Sequence, residues 1–392
     1  MRIVKIGIIG CGVISNTYLD NITGMYKKLE VVAVADMFPE KAKATAEKYN
    51  IPKAYTVNEL LADPEIEIVV NLTIPAAHSE INNAALEAGK HVYCEKPLAL
   101  NAEDAKKTLE IARKKGLLIG CAPDTFLGAG LQTCRKILDE GWIGEPVAVT
   151  ANMVCHGHES WHPAPEFYYK PGAGPMMDMG PYYITALVSL LGPISKTNCF
   201  AKRTFDQRTI TSTSPFKGKK IDVEVLTHYS GLMEFASGVI ANINMTFDVW
   251  HSNLPCIEIY GTAGTLIVPD PNMFGGPVKI LRGENMIDSI EGLSVGEAVR
   301  KIHSPEMLDF VKEVPLMYHK TAMNMRGLGV LDMAYAMVEG RRHRANGELM
   351  YHVTEALTSF DISAKEGRIY QMQSTCERPK QIPLGLEVGE LD

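Results

Sequence analysis

Gly7-Ile8-Ile9-Gly10-Cys11-Gly12-Val13-Ile14-Ser15 places a glycine-rich turn between an apolar, β-branched run, Ile3–Ile9, and a helix-like stretch. Gly10 permits the tight turn. Gly12 leaves out a side chain, so a pyrophosphate can approach the backbone. The helix opening at Val13 and Ile14 offers unpaired N–H groups and a partial positive charge to those phosphates. Ser15 stands where G-x-G-x-x-G has its third glycine, so the helix must pack on the strand with a hydroxymethyl group between them. Asp36 closes the next apolar run, Val31–Ala35, 26 residues after Gly10. There an acidic side chain accepts hydrogen bonds from the adenine ribose hydroxyls. Capping of the helix that Pro39 opens is its other reading. A carboxylate repels a 2′-phosphate, and Met37 and Phe38 supply no cation, so NAD is expected in preference to NADP.

Three further apolar runs follow, Ile68–Leu72, His91–Tyr93 and Leu117–Gly120, separated by helix-length segments that include Pro39–Tyr49, Ala77–Ala88 and Ala102–Lys115. Continuous apolar strands with helical crossovers mean a parallel sheet covered on both faces, so residues 1–123 are expected to form a doubly wound α/β Rossmann domain. Beyond it the pattern changes. A helix over Leu131–Glu140 ends at Gly141, and from Pro146 alternation with period two takes over. In Ile240–Phe247, residues Ala241, Ile243, Met245 and Phe247 share one face, and Cys256–Val268 reads as a hairpin turning at Gly261–Gly264. Helical patterns return at Leu328–Glu339 and Leu349–Lys365. Residues 124–392 are therefore expected to form an α+β domain with a large, mostly antiparallel sheet, its last segment packing back on the first domain.

The chain has 392 residues and a formal charge of −7. That balance carries no electrostatic footprint for nucleic acid, and no apolar run approaches the roughly 20 residues of a membrane helix. Met1–Gly7 runs directly into a strand pattern, from which no secretory leader is expected. Eight scattered cysteines without a C-x-x-C pair suit a reducing, cytoplasmic setting. His156-Gly157-His158-Glu159-Ser160-Trp161-His162 lacks a helical i, i+4 pair and a completing carboxylate or cysteine set, so no metal is expected.

Glu95-Lys96-Pro97 follows the fourth of these apolar runs, His91–Tyr93, at the carboxyl edge where open α/β sheets bind ligands. A lysine there reaches both a substrate hydroxyl and a nicotinamide ribose, and Pro97 fixes the turn. Together with Thr73–His78, Ala88–Ala99 and Gly172-Ala173-Gly174-Pro175-Met176-Met177-Asp178-Met179-Gly180-Pro181-Tyr182-Tyr183, this block resembles the glucose-fructose oxidoreductase / inositol dehydrogenase / MocA family. The likeness extends through His352–Arg368 and Arg378-Pro379. It implies an NAD(P)-dependent oxidoreductase in which Lys96 is catalytic beside the nicotinamide. Asp178 and Tyr182 complete a polar cluster at the reacting carbinol, and Gly10, Gly12, Val13, Ile14, Asp36, Thr73, His78, Glu95 and Lys96 face the cofactor. Many members carry His where this chain has Tyr182. Pro181 suits a helix start, which puts Asp178 just before the helix and Tyr182 in its first turn.

The chemistry needs such residues. Moving hydride off a carbinol carbon requires the hydroxyl proton to leave. A phenol is a poor base alone, but a nearby ammonium stabilises its phenolate, and a preorganised donor stabilises the developing alkoxide. We expect Tyr182 to exchange the proton, Lys96 to polarise and relay, and Asp178 to orient Lys96 or the substrate hydroxyl. His158, Trp161 and His162 are assigned to a substrate-side loop, with Trp161 stacking on a sugar ring, and Asp124 reaches the pocket from the sixth strand. His78 either faces the cofactor or caps the helix at 77–88, and Arg341–Arg344 reads as a solvated helix end. Nothing resembles an arginine clamp for an acid. The expected substrate is thus a secondary hydroxyl of a sugar, a glycoside (C3 being one option) or a cyclic polyol. The alternatives are an NAD-dependent redox-elimination glycosidase and a dinucleotide- or sugar-sensing regulator, against which Lys96 and Asp178 count. A homo-oligomer through the second-domain sheet is expected; the apolar Ala241–Phe247 face is compatible with that, and helices of the same chain would cover it equally well.

Overall fold

The computed structural model describes residues 2–318 and 323–392. Its first sheet is built from β1 (Val4–Ile9), β2 (Leu29–Ala35), β3 (Lys53–Tyr55), β4 (Ile68–Asn71), β5 (His91–Cys94) and β6 (Ile119–Cys121), all parallel, in the order β3-β2-β1-β4-β5-β6. The crossovers are α1 (Val13–Gly24), α2 (Pro39–Tyr49), α3 (Val57–Ala62), α4 (His78–Glu87) and α5 (Ala102–Lys115). β1 and β4 lie in the middle and are almost wholly buried, as apolar strands covered on both faces must be. β3 and α3 escape the sequence pattern because β3 is three residues at the sheet edge, Lys-Ala-Tyr, with no residue fully buried.

The chain then runs through α6 (Ala129–Asp139), β7 (Pro146–Val154), α7 (Gly174–Asp178), α8 (Gly180–Leu191), β8 (Ile194–Lys202) and the small hairpin β9 (Gln207–Thr209) and β10 (Lys220–Asp222). After it come β11 (His228–Phe235), β12 (Ile240–Thr246), β13 (Ile257–Gly261), β14 (Gly264–Val268) and β15 (Val278–Arg282). The helices α9 (Gly283–Ile290) and α10 (Val295–Ile302) precede β16 (Lys312–Val314), α11 (Leu328–Glu339), α12 (Gly347–Glu366) and β17 (Tyr370–Gln371). Nine strands form one sheet in the order β16-β15-β14-β13-β7-β12-β11-β8-β17, antiparallel throughout except for the β12–β7 pair. The hairpin expected over Cys256–Val268 is β13–β14.

Ala241, Ile243, Met245 and Phe247 are fully buried within the single chain. α12 packs on β8, α7 on β12 and α6 on β14 and β15. Of the two covers left open for that face, the chain's own helices are the one observed. The opposite face is open: Phe200, Leu232 and Ile240 are exposed on neighbouring strands.

Arg341–Arg344 is not a solvated helix end. Arg344 is buried and bonds Asp332 Oδ1 at 2.6 Å, and Arg341 reaches the same oxygen at 2.7 Å. Asp332, completely buried on α11, draws both cations inward. Arg344 also donates to the Lys380 carbonyl, so the C-terminal tail is tied to α11. The Cys121 amide bonds the Ala345 carbonyl and α12 packs on α5, so the last segment does return to the first sheet.

Candidate active site

The glycine-rich turn has the form its sequence requires. Gly10 has φ +103°, and a Cβ there would stand 2.6 Å from the Leu72 carbonyl group. A Cβ on Gly12 would meet nothing within 4 Å, so the space above it is open. Gly12 caps α1 with no side-chain hydrogen bond, and no acidic residue lies in the first turn, which leaves the helix N-terminus to an external acceptor. Ser15 is accommodated because its buried hydroxyl donates to the Gly12 carbonyl at 2.7 Å. Asp36 accepts the Cys11 amide at 2.8 Å and the Phe38 amide at 2.9 Å. It does not cap α2, whose start carries no side-chain cap. Each oxygen keeps a lone pair for a ribose hydroxyl. Val13, Met37 and Ile74 are 92%, 80% and 70% exposed along this edge, an apolar rim without a protein partner. Open cradle, bare helix end, carboxylate and apolar rim together fit a dinucleotide.

Lys96 follows β5, in a cis peptide with Pro97. Its Nζ donates to the Asp178 carbonyl at 2.6 Å and to Asp178 Oδ1 at 2.9 Å, with side chains only 16% and 17% exposed. The ammonium thus points into the crevice. It also lies 5.1 Å from the Tyr182 ring centroid. Burial disfavours the ammonium, but Asp178, then Tyr182 and Glu95, outweigh it and hold its pKa above the ordinary lysine range. Burial likewise opposes the Asp178 charge, and Lys96 and His158 overcome it, keeping the carboxyl well below its usual range. Asp178 ends the short helix α7, just before α8, and Tyr182 is in the first turn of α8.

The second Asp178 oxygen accepts His158 Nε2–H at 3.1 Å. His158 Nδ1 is buried without a partner, enclosed by Trp161, Tyr168 and Phe247 at ring-centroid distances of 5.1, 4.2 and 4.6 Å. His158 therefore orients Asp178 through Nε2. The other two histidines of the loop go elsewhere. His162 Nδ1 accepts the Ala164 amide, while His156 stacks on Trp250 at 3.4 Å and accepts from Arg208 at 3.3 Å. Trp161 stays exposed beside the cluster.

Three residues assigned to ligand turn inward. His78 is completely buried; its ring nitrogens face the Pro97 carbonyl at 2.7 Å and the Thr73 carbonyl at 3.0 Å. Burial opposes its charge, but Cys94 and the two carbonyls raise its pKa to about 9, so the imidazolium clamps the Thr73 and Pro97 loops together. Glu95 receives the Tyr18 hydroxyl at 2.8 Å and the Lys96 amide at 3.0 Å and braces the lysine from below. Asp124 is buried and accepts the Gly327 and Gly329 amides at 2.9 and 3.0 Å, fastening the start of α11. Thr73 remains half-buried at the edge, its hydroxyl on Asn71.

Arg326 is the functional residue the sequence reading missed. It donates to Asn272 at 2.8 Å. Burial opposes its charge, and the neighbouring Tyr182, Asp124 and Glu95 side chains outweigh it and hold its pKa above the ordinary arginine value. A guanidinium thus does stand beside Tyr182. A lone arginine before a glycine, far along the chain from the Asp178 block, carries no signal of that placement.

Residues 4–122 match the family described as an oxidoreductase family with an NAD-binding Rossmann fold, GFO/IDH/MocA, and residues 131–267 match the GFO/IDH/MocA C-terminal domain. The inositol 2-dehydrogenase of Salmonella typhimurium is 34% identical over 149 residues, 37% of this chain and 44% of that one; the chain thus matches less than half the length of this relative. The 1,5-anhydro-D-fructose reductase of Ensifer adhaerens is 30% identical over 243 residues, 61% of this chain and 68% of that one. A structure of levoglucosan dehydrogenase in complex with NADH and L-sorbose superposes with a TM-score of 0.76 at 19% identity, covering 95% of this chain and 100% of that one, a likeness of fold.

Proposed function

The chain belongs to the GFO/IDH/MocA oxidoreductase family, and from that premise we propose that it is an NAD-dependent dehydrogenase acting on a secondary hydroxyl of a sugar, glycoside or cyclic polyol. The observation that carries the proposal is the Lys96–Asp178 pair, buried at the carboxyl edge of the nucleotide-binding sheet with Tyr182 beside it. The relatives' names, an inositol dehydrogenase, an anhydrofructose reductase and a levoglucosan dehydrogenase, support a neutral, hydroxyl-rich ring.

The nicotinamide, when bound, accepts the carbinol hydride or returns it. Gly12 and the bare end of α1 hold the pyrophosphate, and Asp36 takes the ribose hydroxyls and turns away a 2′-phosphate, which favours NAD over NADP. Tyr182 exchanges the carbinol proton. Lys96 donates to the oxygen as it gains negative charge, and Asp178 keeps that ammonium charged and aimed. His158 fixes Asp178 in turn, so the donor needs no reorganisation during the reaction. C3 of a glycoside is one carbon such a dehydrogenase would oxidise. A homo-oligomer through the open face around Leu232 and Ile240 and a cytoplasmic setting belong to the same proposal.

A panel of monosaccharides, glycosides and inositols with NAD and with NADP, followed by absorbance of the reduced nicotinamide, tests it. Wild type reduces NAD with at least one carbohydrate, and Lys96→Met loses about 100-fold or more in kcat/KM. Turnover by Lys96→Met within a few-fold of wild type sinks the assignment. Release of aglycone without net NADH points instead to redox elimination.

A further inference from the structure

Residues 156–170 display large rings to solvent while their backbone is held by a buried ion pair. Arg208, on β9 and buried, donates to Glu159 Oε1 at 2.9 Å and to the Phe247 carbonyl at 2.7 Å, and it pairs with Asp248. Glu159 Oε2 takes the Tyr169 hydroxyl, and the Glu159 carbonyl accepts the Thr211 and Ser212 amides, both at 2.9 Å. A buried ion pair adds little net stability over apolar residues of the same volume. Here it fixes the course of a surface segment.

On that fixed segment Trp161 is 60% exposed and Phe167 54%. The rings form a row. Trp161 and Phe167 each meet His162 edge-on, at 5.4 and 5.5 Å, and Phe167 lies 4.0 Å from Tyr168. The row joins the reacting centre, because Trp161 and Tyr168 both pack on His158, which bonds Asp178, which pairs with Lys96. Charge is quiet along it: burial holds His162 below its ordinary pKa, so it is neutral at pH 7, and Lys219 is paired with Glu166 at 2.8 Å. Exposed aromatic faces beside a polar centre suit the apolar face of a neutral ring.

Resting on the dehydrogenase reading, we propose that Trp161, Phe167 and Tyr168 form a second subsite for a neutral ring joined to the oxidised sugar by a glycosidic bond, so that the substrate is a glycoside rather than a free monosaccharide or an inositol. The aryl and pyranosyl forms of that ring share the chemistry, and the experiment separates them.

The test is calorimetric titration of the NAD-loaded protein with matched methyl, p-nitrophenyl and pyranosyl glycosides of glucose, galactose, mannose and xylose, using wild type, Trp161→Ala and Trp161→Phe. Ring-stacking of this kind corresponds to a factor of roughly 3 to 10 in affinity. In at least one series the ring-bearing glycoside binds wild type more tightly than its methyl partner by that factor. Trp161→Ala weakens the ring-bearing glycoside more than its methyl partner, so that the advantage is lost, and Trp161→Phe keeps most of it. Whether p-nitrophenyl or pyranosyl carries the advantage identifies the ring. No advantage anywhere in the panel, absence of binding included, overturns the subsite, as does equal loss of methyl glycoside binding in Trp161→Ala. Binding heat needs no hydride transfer, so a ring advantage without NAD reduction overturns the dehydrogenase reading and leaves the subsite standing.

Discussion

Asp178→Asn removes one charge from a pair whose side chains are 16% and 17% exposed. The Lys96 ammonium keeps its 2.6 Å bond to the residue's carbonyl and loses the 2.9 Å carboxylate contact. In the wild type, Asp178 is the largest influence that overcomes burial and holds Lys96 above the ordinary lysine value. Without it burial wins, and the pKa of Lys96 falls below that value. Buried lysines fall by as much as 3–5 units. With the carbonyl bond surviving, a fall of about two units is expected, which at 1.36 kcal/mol per unit is about 2.7 kcal/mol of lost stability near neutral pH.

The pH dependence gives this prediction its sign. In the variant the unfolded chain holds the Lys96 proton more tightly than the folded one, so stability rises with pH toward about 10.4. In the wild type the folded value of Lys96 is the higher, so its contribution is complete below about pH 10.4 and is lost only above. The depressed Asp178 contributes in full above about pH 4 and is lost as pH falls further. The stability gap is therefore widest near pH 6 and narrows toward about pH 9.5, measured by urea unfolding across that range. Steady-state kinetics with a carbohydrate substrate show kcat/KM lower by about 10² to 10⁴. A gap that stays constant over the range, or kcat/KM within a few-fold of wild type, refutes the charge balance proposed for Lys96.

Asp36→Asn removes the charge that repels a 2′-phosphate. The preference for NAD over NADP falls by about tenfold or more, read by titrating both reduced cofactors against intrinsic fluorescence. Burial raises the Asp124 carboxyl to about 6. The folded chain then binds a proton that the unfolded chain has released, so wild-type stability falls as pH rises from about 4 to about 6, and Asp124→Asn lacks that slope in unfolding experiments. Arg208→Met leaves Glu159 and Asp248 buried without their cation and destabilises by about 3–5 kcal/mol; adding Glu159→Leu recovers part of the loss in thermal unfolding, whereas simple additivity would refute the coupling. Leu232→Asp lowers the mass measured by light scattering if the open sheet face joins subunits, and an unchanged oligomer places the contact elsewhere.

The Rossmann half was legible because a strand buried on both faces must be largely apolar, as Val4–Ile9 is apart from Lys5 and Ile68–Asn71 is apart from Asn71. β3 was not legible, since three residues at an edge need no such pattern. In the second sheet the alternation of Ala241, Ile243 and Met245 correctly marked a buried face. Periodicity reports that a face is covered and is silent on what covers it, so the choice between the chain's own helices and another subunit lay outside its reach. Arg341–Arg344 failed for a related reason. A run of cations after a helix reads as solvated, unless a buried carboxylate such as Asp332, nine residues before Arg341, is known to face them.

Polar residues at the carboxyl edge of a parallel sheet have two fates, outward to a ligand or inward to brace the loops that hold it. Lys96 turned outward, to meet Asp178 of α7; His78, Glu95 and Asp124 took the second. Position along the sequence is the same for both, and only the partner separates them. The same limit explains the histidine. Where many relatives carry His in the helix after Asp178, this chain has Tyr182, and an imidazole reaches Asp178 from the β7 side instead, through His158. An imidazole on the helix that follows the aspartate is placed by that helix, whereas one on a loop must be placed by whatever fixes the loop. That burden falls on Arg208 and Glu159, whose buried ion pair fixes the backbone next to His158.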